Sequence, residues 1–228
     1  MWVVQHVPTE GPGLFGPWLA DDGIPLRILR PFAGETLPHT VTDCRGLLVM
    51  GGPMNVDETP RYPWLREEVS LLERAITARV PTVGMCLGAQ LLAKTLGARV
   101  WHGPQPEVGW CDVEGTQASR QDPVFAAFPP RYTVFQWHGD AFELPKDAVH
   151  LAQSTRYPHQ AFRYGENVYA LQYHLEVTPT IIEEWLSHDD PLLNGVDVSR
   201  VKQHTPQYAP LLAVLARQFY SGWRTSLA

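Results

Sequence analysis

Lysine is almost missing from this chain. Three lysines stand against fifteen arginines in 228 residues, and the formal charge is −6 at pH 7. An acidic balance with scattered arginines offers no basic stripe to a phosphate backbone, so no nucleic-acid partner is expected. Cysteine is as scarce. Cys44, Cys86 and Cys111 are an odd number at wide spacing, and they form neither a disulfide framework nor a zinc pattern. That usage fits a reducing, cytoplasmic setting. No apolar run approaches the roughly 18 residues of a membrane helix, so no membrane partner is expected. The start, "MWVVQHVPTEGPG", has no basic region ahead of an apolar core and does not read as a secretion signal. Repeats and low-complexity segments are absent, and so is a Gly-x-x-x-x-Gly-Lys-Ser/Thr loop.

What is present is an alternation. Apolar runs at 2–7, 45–52 and 80–85 read as strands. Between the last two, Leu65, Val69, Leu72 and Ile76 recur at helical spacing, which predicts a helix over 64–76 with charges on its other face. Pro63 suits the start of that helix. Strands alternating with helices of this length predict βαβ units and a mainly parallel sheet. The middle of the chain breaks into short β-like runs, "GWCDVEGT", "RYTVFQWHGDAFEL" and "HQAFRYGENVYALQYHLEV", which suggest an antiparallel flank and a last strand at 168–174. Helices follow at 178–188, with Thr178 as N-cap and Pro179 at N1, and at about 207–224. No linker interrupts the series, so one α/β domain over 1–228 is expected.

"PTVGMCLGAQLLAKTLG", residues 81–97, puts a cysteine where a strand turns into a helix. Gly84 and Gly88 flank Cys86 at the spacing of a nucleophile elbow, where a tight turn exposes a strained residue and needs small neighbours. The helix N-terminus beyond it favours thiolate and puts the Leu87 N–H where an oxyanion would form. The plainer alternative is a small buried apolar residue. A thiol nucleophile wants a base, and the base an orienting group. In "LQYHLEV" the strand alternation would project His174 and Glu176 to one side; the alternative is a strand-end histidine beside a solvated glutamate. In "VMGGPMNV" two glycines after a buried strand let backbone approach a ligand, and the Gly52 amide could supply a second oxyanion donor; otherwise this is a strand-ending turn at Pro53. His6, His102 and His159 have no carboxylate or cysteine at useful spacing and read as surface or structural residues.

Taken together, "GGPMNV", "VGMCLGAQLLAKTLG", "QWHGDAF" and "LQYHLEV" resemble the class I (triad) glutamine amidotransferases, in the family's order, over about residues 45–185. The N-terminal "QHVPTEGPG" is similar to stand-alone members like the amidotransferase domain of GMP synthetase. The resemblance implies a doubly wound, mainly parallel α/β sheet with helices on both faces. It implies Cys86 as nucleophile, His174 as acid and base, Glu176 as orienting residue, and the Gly52 and Leu87 amides as oxyanion hole. It also implies that Gln90, Trp137, Gly139 and Asp140 hold the glutamine backbone, although Asp140 could cap a local turn and Gln90 could lie on a helix surface. No metal and no cofactor are implied. One departure stands out. The family usually has His-Pro-Glu, and here Leu175 replaces the proline, which keeps the spacing and loses the rigidity.

Four functions compete at this point. The first is a glutaminase that hydrolyses glutamine through a γ-glutamyl thioester and hands ammonia to a separate synthetase, since the chain ends where such a domain is expected to end. The second is a self-sufficient γ-glutamyl peptidase. The third is a dinucleotide-binding module, because "GPGLFG" (11–16) imitates Gly-x-Gly-x-x-Gly with Glu35 downstream; prolines crowd that loop, and a flexible surface loop leading into a first helix is the simpler account. The fourth is an inactive scaffold, against which the intact Cys86, His174 and Glu176 argue.

Overall fold

The computed structural model describes residues 1–227. Nine strands form one sheet: β1 (Trp2–Val4), β2 (Arg27–Leu29), β3 (Leu47–Val49), β4 (Thr82–Met85), β5 (Val100–Gly115), β6 (Arg131–Phe142), β7 (Val149–Ser154), β8 (Ala161–Tyr164) and β9 (Val168–Leu171). Among the described residues five α-helices pack against it: α1 (Phe15–Asp21), α2 (Trp64–Thr77), α3 (Leu87–Thr95), α4 (Pro179–Trp185) and α5 (Val198–Trp223). The strand order is β2-β1-β3-β4-β9-β8-β7-β5-β6. Pairing is parallel from β2 through β9 and antiparallel from β9 through β6. The α/β class is as expected, and the antiparallel part reaches further than a small flank.

The short strands are apolar on both sides because both faces are covered. Trp2, Val4, Leu47, Val49, Val168 and Ala170 point to one core with the buried faces of α2 and α3. The alternate residues Val3, Leu48, Val83, Tyr169 and Leu171 point to the other, with α1, α4 and α5. Period-two alternation in the strands thus feeds two cores, one on each face of the sheet.

Three expectations shift. In α2 the expected Leu65 and Leu72 are buried and Val69 and Ile76 pack half-buried against the same core, and the inward face also takes in a carboxylate, Glu68. The strand expected over 168–174 pairs only to Leu171; beyond it His174 makes one isolated antiparallel bridge to Phe135. The last helix begins at Val198, earlier than expected, with Asp197 as N-cap accepting from Arg200 N–H at 3.0 Å. It runs through Pro206 and Pro210. Each proline removes a helical hydrogen bond, and the buried stripe of Val201, Ala209, Leu212, Ala216, Phe219 and Trp223 holds the register. Among the described residues no helix is long and apolar enough to cross a membrane.

Candidate active site

The carboxyl ends of β3 and β4 meet the start of α3. Cys86 is the residue before that helix, with φ 53° and ψ −108°, a region few non-glycine residues enter. The neighbours explain how the turn is held. A side chain on Gly84 would strike the Gly88 carbonyl, and one on Gly88 would strike the Val49 carbonyl. Cys86 N–H donates to Leu171 O at 2.8 Å, and Gly88 N–H to Met50 O at 3.2 Å, which ties the turn to both neighbouring strands. The Leu87 N–H opens the helix and has no intrahelical acceptor. The Cys86 side chain is nearly enclosed, with the residue 6% exposed.

His174 and Glu176 come together by a bend after β9, not by strand alternation as expected. His174 Nδ1 lies 2.7 Å from Glu176 Oε1, and His174 N–H donates to Phe135 O at 2.9 Å. Leu175, at the family's proline position, is 0% exposed and packs in the core, so burial supplies the restraint the missing ring does not. Trp185 of α4 stands edge-on to the imidazole, with ring centroids 4.9 Å apart. The "GPGLFG" loop has a role too. Leu14 N–H donates to Glu176 O at 2.8 Å, and Gly13, at φ 45°, leaves no room for a side chain against that same carbonyl. The loop expected to be a free surface turn is instead a clamp on the 174–176 segment, and its amide is already taken by protein.

Electrostatics set the proton positions. Burial opposes charge on His174, but the Glu176 carboxylate and the Cys86 sulfur beside it outweigh burial and hold its pKa well above the ordinary histidine value. Burial also pushes the Cys86 thiol up, against the pull of His174. The helix N-terminus, expected to favour thiolate, does not overcome this desolvation. His174 Nε2 is buried without a hydrogen-bond partner among the described residues, while Cys86 Sγ is 3.6 Å from Trp137 O.

A cavity of about 820 Å³ opens over Cys86, within the range of small-molecule sites. Gly52, Gln90, Trp137, Gly139 and Asp140 all line it. Gln90 is 3% exposed, not on a helix surface, and its Nε2 donates to Asp140 O at 3.2 Å. Asp140 accepts from Asn55 Nδ2 at 2.6 Å and pairs with His102 Nδ1 at 2.9 Å, so it joins β6 to the loop after β3 rather than capping a local turn. Trp137 Nε1 donates to Asp190 Oδ2 at 2.9 Å.

Residues with no sequence signal also enter the site. Glu10 lines the cavity, and a side chain on Gly51 would collide with its carboxylate while lying 3.0 Å from His174 Cε1. Burial raises the Glu10 pKa to about 7. His6, read as lacking a carboxylate partner, is completely buried with Nε2 3.0 Å from both Glu68 oxygens and Nδ1 2.8 Å from Gly51 O. The two partners are 62 residues apart, and no local spacing could have paired them. His102 and His159 stay in minor roles, at the cavity rim and against Phe142 O.

Residues 26–189 match the family described as glutamine amidotransferase class-I. The chain belongs to that family. The glutamine amidotransferase-like protein YfeJ of Salmonella typhimurium is 35% identical over 189 residues, covering 81% of this chain and 79% of that one. The glutamine-hydrolysing GMP synthase of Thermomicrobium roseum is 35% identical over 140 residues, covering 60% of this chain but only 24% of that protein. The crystal structure of a glutamine amidotransferase from Thermotoga maritima superposes with a TM-score of 0.89 at 30% identity, over 99% of this chain and 96% of that one. That solved amidotransferase therefore shares this chain's fold over nearly the full length of both.

Proposed function

We propose that this chain, as one domain, hydrolyses the side-chain amide of glutamine or of a γ-glutamyl compound, with Cys86 as nucleophile. The observation that carries the reading is the pairing of a left-handed, helix-capping Cys86 with a base, His174, held 2.7 Å from Glu176, in a chain of this family. Sulfur attacks the amide carbon as its proton moves to His174 Nε2. Glu176 accepts the Nδ1 proton in a hydrogen bond and favours the imidazolium that forms. The Gly52 and Leu87 N–H groups receive the developing oxyanion. The imidazolium gives its proton to the leaving nitrogen, the C–N bond breaks, and a γ-glutamyl thioester remains. Water, losing a proton to Nε2, then attacks the thioester carbon. The C–S bond breaks, glutamate leaves and the thiol is restored. Gln90, Trp137, Gly139 and Asp140 orient the glutamyl end. In a system that uses the ammonia, a separate synthetase accepts it.

The cavity volume favours a second reading, a self-sufficient γ-glutamyl peptidase. About 820 Å³ leaves space beyond a glutamine side chain for an amine or peptide leaving group. Glutamate and ammonia or amine release, measured with glutamine and a panel of γ-glutamyl peptides, tests both. Turnover that Cys86→Ala reduces by at least about 10⁴-fold, with the melting temperature kept, is the expected result. Unchanged turnover in that variant would sink the triad, and a preference for peptides would favour the second reading.

A further inference from the structure

We propose that the buried pair of His6 and Glu68 is a positioning device that aims the Gly52 N–H at the reacting carbonyl oxygen. The proposal rests on the reading above, in which Gly52 supplies one oxyanion donor.

The argument begins with the cost of the pair. His6 follows β1, Glu68 lies in α2, and both side chains are fully enclosed. A buried charged pair is poor evidence of stability gain, since apolar residues of similar volume often serve the fold as well. Its geometry points to another use. A carbonyl oxygen can only accept, so His6 Nδ1, 2.8 Å from Gly51 O, carries a proton. Nε2 faces both oxygens of Glu68 at 3.0 Å, which an ionised carboxylate also requires to be a donor. Burial works against the resulting imidazolium, and Glu68 and the Gly51 carbonyl outweigh it, so the His6 pKa is raised. Trp64 stacks on the ring at 5.5 Å and 13°, fixing its plane.

Peptide planarity carries the effect to the site. In a trans peptide the carbonyl of Gly51 and the N–H of Gly52 point in opposite directions. Anchoring the carbonyl on His6 therefore turns the N–H away from His6, and Gly52 lines the cavity above Cys86. A peptide between two glycines is the freest in a chain to rotate, and an oxyanion donor works only if it is set before the charge develops. Gly52 is also wedged in place: a side chain there would lie 2.9 Å from His6 Cβ and 3.0 Å from Leu87 Cδ2, the residue that carries the other donor. A cation on the carbonyl end polarises the peptide and strengthens its N–H as a donor. His6 touches no reacting atom, so its role is positioning.

The test uses the full chain with His6→Ala, His6→Asn and Glu68→Gln. Asparagine places its side-chain amide near Nδ1 and can still donate to Gly51 O. For whichever γ-glutamyl substrate the wild type turns over, His6→Ala should lower kcat by about 10²- to 10³-fold, the loss seen for one oxyanion donor. KM should stay within about threefold, and the rate of Cys86 alkylation by iodoacetamide should not change, because no oxyanion forms in that reaction. His6→Asn should recover at least about tenfold of the loss, and Glu68→Gln should fall between the two. Full activity in His6→Ala, an equal loss of alkylation, or a folded His6→Asn no better than alanine would overturn the proposal.

A second readout does not need turnover. Gly51–Gly52 is the one Gly-Gly pair in the sequence. Protein labelled with 1-¹³C,¹⁵N-glycine therefore has a single amide coupled to a labelled carbonyl, that of Gly52. In His6→Ala this resonance should shift and broaden as the peptide gains a second orientation, and His6→Asn should restore it. An unmoved resonance in His6→Ala would overturn the positioning role. Absence of turnover in the wild type would instead count against the hydrolase reading and leave this measurement to decide the pair.

Discussion

The two halves of the sheet divide the work differently. The parallel half, β2-β1-β3-β4-β9, has strands of three or four residues, all but the edge strand β2 buried on both faces. Its carboxyl ends deliver Cys86, the Gly51–Gly52 turn and the segment leading to His174. The antiparallel half is built on the long β5–β6 hairpin, whose register slips between His102 and Glu107, next to Pro104 and Pro106. It supplies Trp137, Gly139 and Asp140, the wall facing the cysteine. Short strands enclosed between two cores hold Cys86 and the turn at Gly51–Gly52 to one geometry. A long hairpin at the sheet edge can vary the wall without moving them. The comparison teaches that changes in the parallel half should act on kcat or on folding, and changes in the hairpin on KM.

Glu176→Gln is the sharpest test of the parallel half. Losing the charge behind His174 should cost about 10²- to 10⁴-fold in kcat with KM little changed, read from steady-state kinetics; a pure KM effect would break the division. Next is Gly88→Ala, whose new methyl group meets the Val49 backbone. Backbone cannot step aside as a side chain can, so a loss of about 3 kcal/mol, or roughly 6–12 °C in melting temperature, is expected. Glu10→Gln separates folding from chemistry by pH. The folded-state pKa of Glu10 is raised from 4.5 to about 7, so its contribution to stability is present below 4.5 and is lost as pH rises through 7. The variant should therefore gain on the wild type by about 1–2 kcal/mol between pH 5 and pH 8 in thermal melts, after allowance for solvent screening. The smallest effect belongs to the hairpin. Asp140→Ala loses the contacts to Asn55 and His102, and KM should rise about 3- to 10-fold, near 1 kcal/mol, with kcat preserved.

Much of the site was legible because its chemistry is local. Gly84, Cys86 and Gly88 fit a strand-to-helix turn by spacing alone, and His174 and Glu176 stand close enough in the chain to meet under either a strand or a bend. Helix α2 was expected over 64–76 and spans Trp64–Thr77. What failed was also physical. The apolar stripe of α2 faces the core as its spacing predicts, but Glu68 turns inward beside it because His6 pairs with it there. The amphipathic pattern reads as helical over about 207–224, whereas packing carries the helix back to Val198. The thiolate expected at the helix N-terminus ignored burial, which no single turn reveals.

By itself, then, the order of residues determined the α/β alternation, the strained cysteine turn and the close pairing of His174 with Glu176, since each depends on neighbours within a few positions. Only the tertiary structure decided that Glu10 enters the cavity, that Gly13 clamps Glu176, and that His6 and Glu68 close on the Gly51 carbonyl. Those contacts join segments whose separation along the chain carries no periodic signal, and burial, which sets both their partners and their charges, exists only once the two cores have formed.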